Sequence, residues 1–237
     1  MGARALSRQL VNRSLIALVF CTLTTGCWAI GFSEDPGELV KRDFNLFPFT
    51  HLSLRGEVTA EIRKGDRYSV TVRTTRALFD QLSVFSFFGN AWLAVETGLR
   101  GPREVGPVEI SITVPRLESL TVLDNSTAMV EWPSEAAHLK LQDASFVDLK
   151  FNGTVLFIEG NYRSTYVISG SAESLKVYLR NGSRVDARNL SSKKANLDLN
   201  EASCLQLGPT GSWEGTLSHG STTEVSTPPP EGNVRRL

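Results

Sequence analysis

Several absences bound what this 237-residue chain does. It has only three cysteines: Cys21 lies in an apolar leader, Cys27 follows that leader, and Cys204 stands alone, so no disulfide framework is available. Neither sign of charge is in excess, with 25 basic against 25 acidic side chains. Such a balance lacks the clustered basic face that nucleic-acid binders need. The three histidines, His51, His138 and His219, lie far apart and lack ligand spacing, so neither a metal centre nor a cofactor is expected. Nucleophile and phosphate motifs are missing too: there is no Gly-x-Ser-x-Gly, no Gly-x4-Gly-Lys and no Cys-x-x-Cys. Apolar stripes at helical spacing are absent beyond the N-terminus. Val, Ile, Thr, Ser and Gly are plentiful instead, and that composition suits an all-β protein.

The first 26 residues have the three parts of an export signal. Arg4, Arg8 and Arg13 make the positive end, and Leu15 to Leu23 is an apolar run too short for a bilayer that needs about 20 residues. Thr24, Thr25 and Gly26 then lead to Cys27, which resembles a bacterial lipobox, with Thr24 where Leu is commoner. In that class of signal the cysteine becomes an acylated N-terminus. Trp28 follows, and no Asp stands there to suggest retention on an inner membrane. The chain is therefore expected to be an exported lipoprotein of the cell envelope, anchored at Cys27, on the outer membrane and facing periplasm or surface. Residues 27–43 read as a polar tether and 227–237, with Pro228, Pro229 and Pro230, as a disordered tail. One domain over 44–226 lies between them.

Strand signals fill that domain. Val58-x-Ala60-x-Ile62 and Tyr68-x-Val70-x-Val72 flank Lys64-Gly65-Asp66-Arg67, which predicts a hairpin with a type II′ turn at Gly65. A second hairpin is predicted from Leu82 to Val95 around Gly89 and Asn90, and it is the most aromatic stretch of the chain. Val108-x-Ile110-x-Ile112-x-Val114 is a strand stopped by Pro115.

From Leu117 one unit recurs six times. Aligned at Leu120, Leu139, Leu156, Leu175, Leu197 and Gly215, the starts are 19, 17, 19, 22 and 18 residues apart. Each unit holds an alternating strand, a small polar corner and a second alternating strand. Self-similarity at such a period marks a solenoid, in which each repeat buries its apolar face only against its neighbours. The expected architecture is an all-β right-handed β-helix, or β-solenoid, with about six short rungs in the C-terminal half, preceded by hairpins packed on the same stack. On this alignment the corner column reads Ser126, Ser145, Tyr162, Asn181, Ser203 and Ser221. The column before it, Asp124, Asp143, Gly160, Leu179, Glu201 and His219, is placed outside, because stacked like charges need water.

The Phe49-x-x-Leu52-x-Leu54 opening, Gly65-Asp66-x-Tyr68-x-Val70, Ile110-x-Ile112-x-Val114-Pro115-x-Leu117-x-x-Leu120 and the Leu-x-Leu rungs together resemble the putative auto-transporter adhesin head GIN domain family, over about residues 44–226. The resemblance implies a right-handed β-helix-like fold in an exported bacterial protein, and it brings no catalytic residues.

The function expected on these grounds is non-enzymatic: a membrane-tethered solenoid that presents an adhesive or scaffolding surface to an envelope protein, a glycan or another copy of itself. The alternative is an enzyme acting on envelope polysaccharide through an exposed, glycan-facing acidic column of Asp124, Asp143 and Glu201, since glycosidases need two carboxyls about 5–9.5 Å apart.

Overall fold

A strand with all its apolar side chains on one face must cover that face. Here each strand is covered by the strand across its own corner. The computed structural model describes residues 38–95, 106–132, 134–226 and 232–236. In chain order they form β1 (Leu39–Phe44), β2 (Phe49–Arg55), β3 (Thr59–Lys64), β4 (Ser69–Thr75), the single-turn helix α1 (Arg76–Phe79), β5 (Leu82–Phe87) and β6 (Gly89–Val95). Next come β7 (Glu109–Val114), β8 (Ser119–Val122), β9 (Thr127–Glu131), β10 (Ala136–Leu141), β11 (Phe146–Gly160), β12 (Thr165–Leu179) and β13 (Arg184–Leu199). The last four are β14 (Cys204–Leu207), β15 (Thr210–Leu217), β16 (Thr222–Val225) and β17 (Gly232–Arg236).

These strands make a two-faced solenoid. One face runs β5, β6, β2, β8, β10, then the second halves of β11, β12 and β13, then β15 and β17. The other runs β1, β4, β7, β3, β9, the first halves of β11, β12 and β13, then β14 and β16. Pairing is parallel along both faces except at the N-terminal end, where β1–β4, β4–β7 and β5–β6 are antiparallel. Leu52, Leu120, Leu139, Ile158, Val177 and Leu197 stack in one buried file, and Ala60, Ala128, Val147, Tyr166, Val185 and Leu205 in the file opposite. At the N-terminal end α1 crosses from one face to the other. Its Leu78 and Phe79 are buried, and Arg42 lies 4.6 Å over the Phe79 ring, so this end of the core is plugged.

Strand pairing corrects three expectations. The hairpin around Gly65 does not form. β3 pairs in parallel with β7 and β9, and β4 pairs antiparallel with β7, so β7 lies between the two strands expected to be partners. Gly65 serves close approach rather than a turn: a Cβ there would sit 2.3 Å from Thr113 Cγ2. The hairpin of β5 and β6 does form, with Phe87 opposite Asn90 and the two tip residues Phe88 and Gly89 at φ 46° and 76°, a type I′ pattern.

The second correction is register. Leu139 stands beside Ile158 rather than Leu156, and Val177 rather than Leu175 stands beside Leu197. The true file starts are Leu120, Leu139, Ile158, Val177, Leu197 and Gly215, spaced 19, 19, 19, 20 and 18 residues apart. A two-residue slip keeps every side chain on its face, so alternation alone does not detect it. The single step of 20 comes from a bulge in β13, where Val167 pairs with Asp186 but Ser169 with Asn189. Arg188 in the bulge closes back on Asp186 through Nε–H to Oδ1 at 2.9 Å and Nη2–H to Oδ2 at 2.6 Å. That hydrogen-bonded pairing holds the Asp186 carboxyl below its ordinary range.

The third concerns the ends. β1 begins at Leu39, inside the stretch expected to be tether, because Leu39 to Phe44 finds a ladder on β4. β17 adds a strand to β15 beyond the expected end near Val225.

One position interrupts the ladder. By register the Leu141 N–H should meet the Glu159 carbonyl, but the Tyr166 hydroxyl sits between them, accepting from Leu141 N–H at 3.0 Å and donating to Glu159 O. The Tyr166 ring fills the room left by Gly160, where a Cβ would lie 3.0 Å from it. Burial raises the Tyr166 phenol well above its ordinary pKa.

Candidate functional site

With the register known, the corners change identity. The residue that opens each second strand is Thr127, Phe146, Thr165, Arg184, Cys204 or Thr222, so the residues before it are Ser126, Ser145, Ser164, Ser183, Ser203 and Ser221. Six serines stack in one column, of which the first five are buried. Tyr162 and Asn181, expected in this column, stand two places earlier. The hydroxyls of Ser164, Ser183 and Ser203 donate to the carbonyls of Asn161, Arg180 and Asn200, each three residues back, at 2.5, 2.8 and 2.6 Å. In these three corners the serine hydroxyl thus ties the end of the turn to its start.

The two residues before each serine take up left-handed backbone. Asp124 and Asn125, Asp143 and Ala144, Tyr162 and Arg163, and Glu201 and Ala202 all have φ between 51° and 61°. For a residue other than Gly or Asn this conformation costs about 1–2 kcal/mol. Hydrogen bonds between rungs offset that cost. The second residue of each pair donates its N–H to the first of the next rung: Asn125 to Asp143, Ala144 to Tyr162, Arg163 to Asn181, Gly182 to Glu201 and Ala202 to His219, all at 2.8–3.0 Å. The ladder therefore continues through the corner without a break.

The outer column on this edge is Asp124, Asp143, Tyr162, Asn181, Glu201 and His219, of which Asp124 and Asn181 are half-buried and the others exposed. Asp124 and Asp143 are on neighbouring rungs, about 4.8 Å apart by strand spacing. Glu201 is three rungs from Asp143, roughly 14 Å away, with Tyr162 and Asn181 between. The acidic residues thus do not make one continuous column. Asp124 is engaged: Arg55 Nε–H donates to its Oδ2 at 2.5 Å, and this hydrogen bond raises the Arg55 pKa. Cys27, the expected acylation site, lies outside the described residues. Among the described residues no three His, Cys, Asp or Glu side chains are grouped so as to hold a metal.

A second surface feature went unread in the sequence. On the face carrying β12, β13 and β15 there is an open hollow of about 340 Å³. Two adjacent columns line it, Ser174, Lys194 and Ser212 beside Lys176, Asn196 and Glu214. Asn196 Nδ2–H donates to Glu214 at 3.2 Å. The signal is the short polar alternation Ser174-x-Lys176, Lys194-x-Asn196, Ser212-x-Glu214. It aligns only in the true register, since the two-residue slip separates Lys176 from Asn196.

Comparison with known proteins bears on this architecture. The family described as putative auto-transporter adhesin, head GIN domain, matches residues 48–229. The chain belongs to this family. A crystal structure of a putative adhesin from Bacteroides fragilis superposes with a TM-score of 0.69 at 11% identity, over 84% of this chain and 97% of that one. Putative adhesins from Parabacteroides distasonis and Parabacteroides merdae each superpose at 0.60, with 11% and 12% identity, over 85% of this chain and 98% and 97% of theirs. At such identity the likeness is one of fold. A search of curated proteins finds no match. The GIN domain of this chain is thus a two-faced solenoid with a buried column of corner serines and two ladders of paired strands.

Proposed function

We propose that this GIN-domain protein is a non-enzymatic, membrane-tethered solenoid of the bacterial envelope, which presents a rigid surface for adhesion to a glycan or protein. The observation that carries this reading is the hollow of Lys176, Lys194, Asn196 and Glu214, set on three strands paired in parallel, β12, β13 and β15. Three successive strands hold its donors and acceptors at fixed spacing. Little ordering entropy is lost on binding to such a preformed site. Exposed amide, hydroxyl, carboxylate and ammonium groups in alternation match the hydroxyl-rich, partly anionic chemistry of envelope glycans. A glycan array read with the wild type and with Lys176→Ala/Lys194→Ala tests it. The double variant should bind at least about tenfold more weakly, since each charged hydrogen bond contributes about 1.5–3 kcal/mol. Equal binding by both proteins would remove the hollow from the account. The tether at Cys27 is tested separately by intact mass of the membrane fraction, where an acylated N-terminus is expected and a free thiol would refute it.

The adjacency of Asp124 and Asp143 supports a second reading, hydrolysis of an envelope polysaccharide. The Arg55 partner of Asp124 disfavours it, because its Nε–H already occupies the Asp124 Oδ2 that such a reaction would use. Turnover of cell-wall or capsule glycans that disappears in both Asp124→Asn and Asp143→Asn would establish that enzyme.

A further inference from the structure

Among the described residues four edge strands end the two faces, and three of them carry charge. β1 has Lys41, Arg42 and Asp43, β16 has Glu224, and β17 has Arg235 and Arg236. Charge on an edge discourages pairing with other chains. The fourth edge, β5, departs from this. From Leu82 to Val95 the β5–β6 hairpin holds no charged side chain at all. Phe85, Phe87 and Phe88 are 51%, 61% and 86% exposed, and Phe85 stacks on Trp92 with ring centroids 5.0 Å apart. A further aromatic comes from another segment. Phe47, 76% exposed, lies two residues before Phe49, which pairs with Gly89 at the hairpin tip. The exposed aromatics therefore gather toward the tip rather than spreading along the β5 edge.

The place of this cluster in the chain says what covers it. It lies at the N-terminal end of the stack, and the described chain begins in β1 at that same end. Only eleven residues, 28–38, separate Cys27 from Leu39. Fully extended they reach at most about 40 Å, and β1 itself spans about 20 Å. A chain anchored at Cys27 therefore enters the solenoid at this end, nine strand spacings or roughly 43 Å from the β16–β17 end. Aromatic rings on a hairpin that carries no charge of its own partition into the headgroup boundary of a membrane. A second copy paired along the β5 backbone would use the strand edge, whereas the most exposed ring, Phe88, stands on the turn.

We propose that Phe47, Phe85, Phe87 and Phe88 form a membrane-contact tip that seats the N-terminal end of the solenoid in the bilayer interface and points its far end, with the Lys176–Lys194 hollow, away from the lipid. This rests on the tethered reading above. The test uses the protein extracted from its own membrane, carrying Cys204→Ser and a bimane-labelled cysteine at Phe88→Cys or, as control, at Glu224→Cys. Each is reconstituted in vesicles of three parts phosphatidylethanolamine to one part phosphatidylglycerol with brominated acyl chains. Bromine quenches only near contact, so tethering alone does not quench. Quenching at position 88 several-fold above that at 224, abolished by adding Phe85→Glu/Phe87→Glu, is the expected result. Equal quenching at both positions, or none at 88, overturns the proposal. So does position 88 becoming protected only by concentration-dependent pairing of two copies. Mass at Cys27 is read on the same sample. A free thiol with position 88 still quenched refutes the anchor and leaves the tip standing, while an acylated Cys27 with position 88 unquenched does the reverse.

Discussion

Tyr166 shows how much one side chain contributes to this stack. Its hydroxyl replaces a direct bond between Leu141 N–H and Glu159 C=O, and its ring occupies the space above Gly160. Tyr166→Phe leaves both backbone groups without a partner in a dry interior. It should cost about 1–3 kcal/mol, measured as a shift in the denaturant midpoint at unchanged slope. The same residue sets a pH dependence. Because burial raises its folded pKa above the unfolded value of about 10, its contribution is fully present below that pH. Above it the unfolded chain ionises first and stability falls as pH rises. Tyr166→Phe should lack this alkaline loss, which pH-resolved unfolding curves would reveal. Backbone conformation makes an opposite pair of predictions. Ala202 sits at φ 58°, so Ala202→Gly should stabilise by about 0.5–1 kcal/mol, against the usual direction of such a change. Gly170 sits at φ 111°, where a Cβ would lie 2.0 Å from the Phe151 carbonyl, so Gly170→Ala should destabilise by several kcal/mol, about 3 or more. Thermal melts of the two variants should move in opposite senses.

At the level of elements, alternation in the sequence identified nearly every strand of the rungs, because a half-buried strand has a side-chain period of two. It did not identify partners. The β3–β4 hairpin looked sound, with alternating strands on both sides of Lys64-Gly65-Asp66-Arg67, yet β7 intervenes. Local turn chemistry is weaker than the pairing of both edges of β3, with β7 on one side and β9 on the other. The corner serines were half legible. Ser126, Ser145, Ser203 and Ser221 were read in column, and Ser164 and Ser183 were missed because the neighbouring leucines Leu156 and Leu175 begin one pleat early. The acidic column was legible at Asp124 and Asp143 and dissolved beyond them. The hollow was invisible without register, since Lys176, Asn196 and Glu214 are 20 and 18 residues apart and meet only through pairing.

For the whole molecule, stability is close to a sum of rungs and the contacts between successive rungs. The two ends are unequal. The N-terminal end has a helical plug and antiparallel strands across it, whereas among the described residues no helix covers β16 and β17 and both pair only in parallel. Hydrogen exchange should therefore show the central strands β11 to β13 protected to near the global stability and the β16–β17 rung exchanging at least about a hundredfold faster. Uniform protection along the stack would contradict independent rungs. The sequence by itself determined that the chain is an all-β stack of short polar-cornered repeats, since period and alternation are local properties of a strand that must bury one face. Which rung meets which, where the serines line up, and that an uncharged aromatic tip shares its end with the start of the domain were decided only by tertiary structure. Parallel pairing joins residues about nineteen apart through backbone bonds that no side chain specifies, and a shift of two leaves the hydrophobic pattern unchanged.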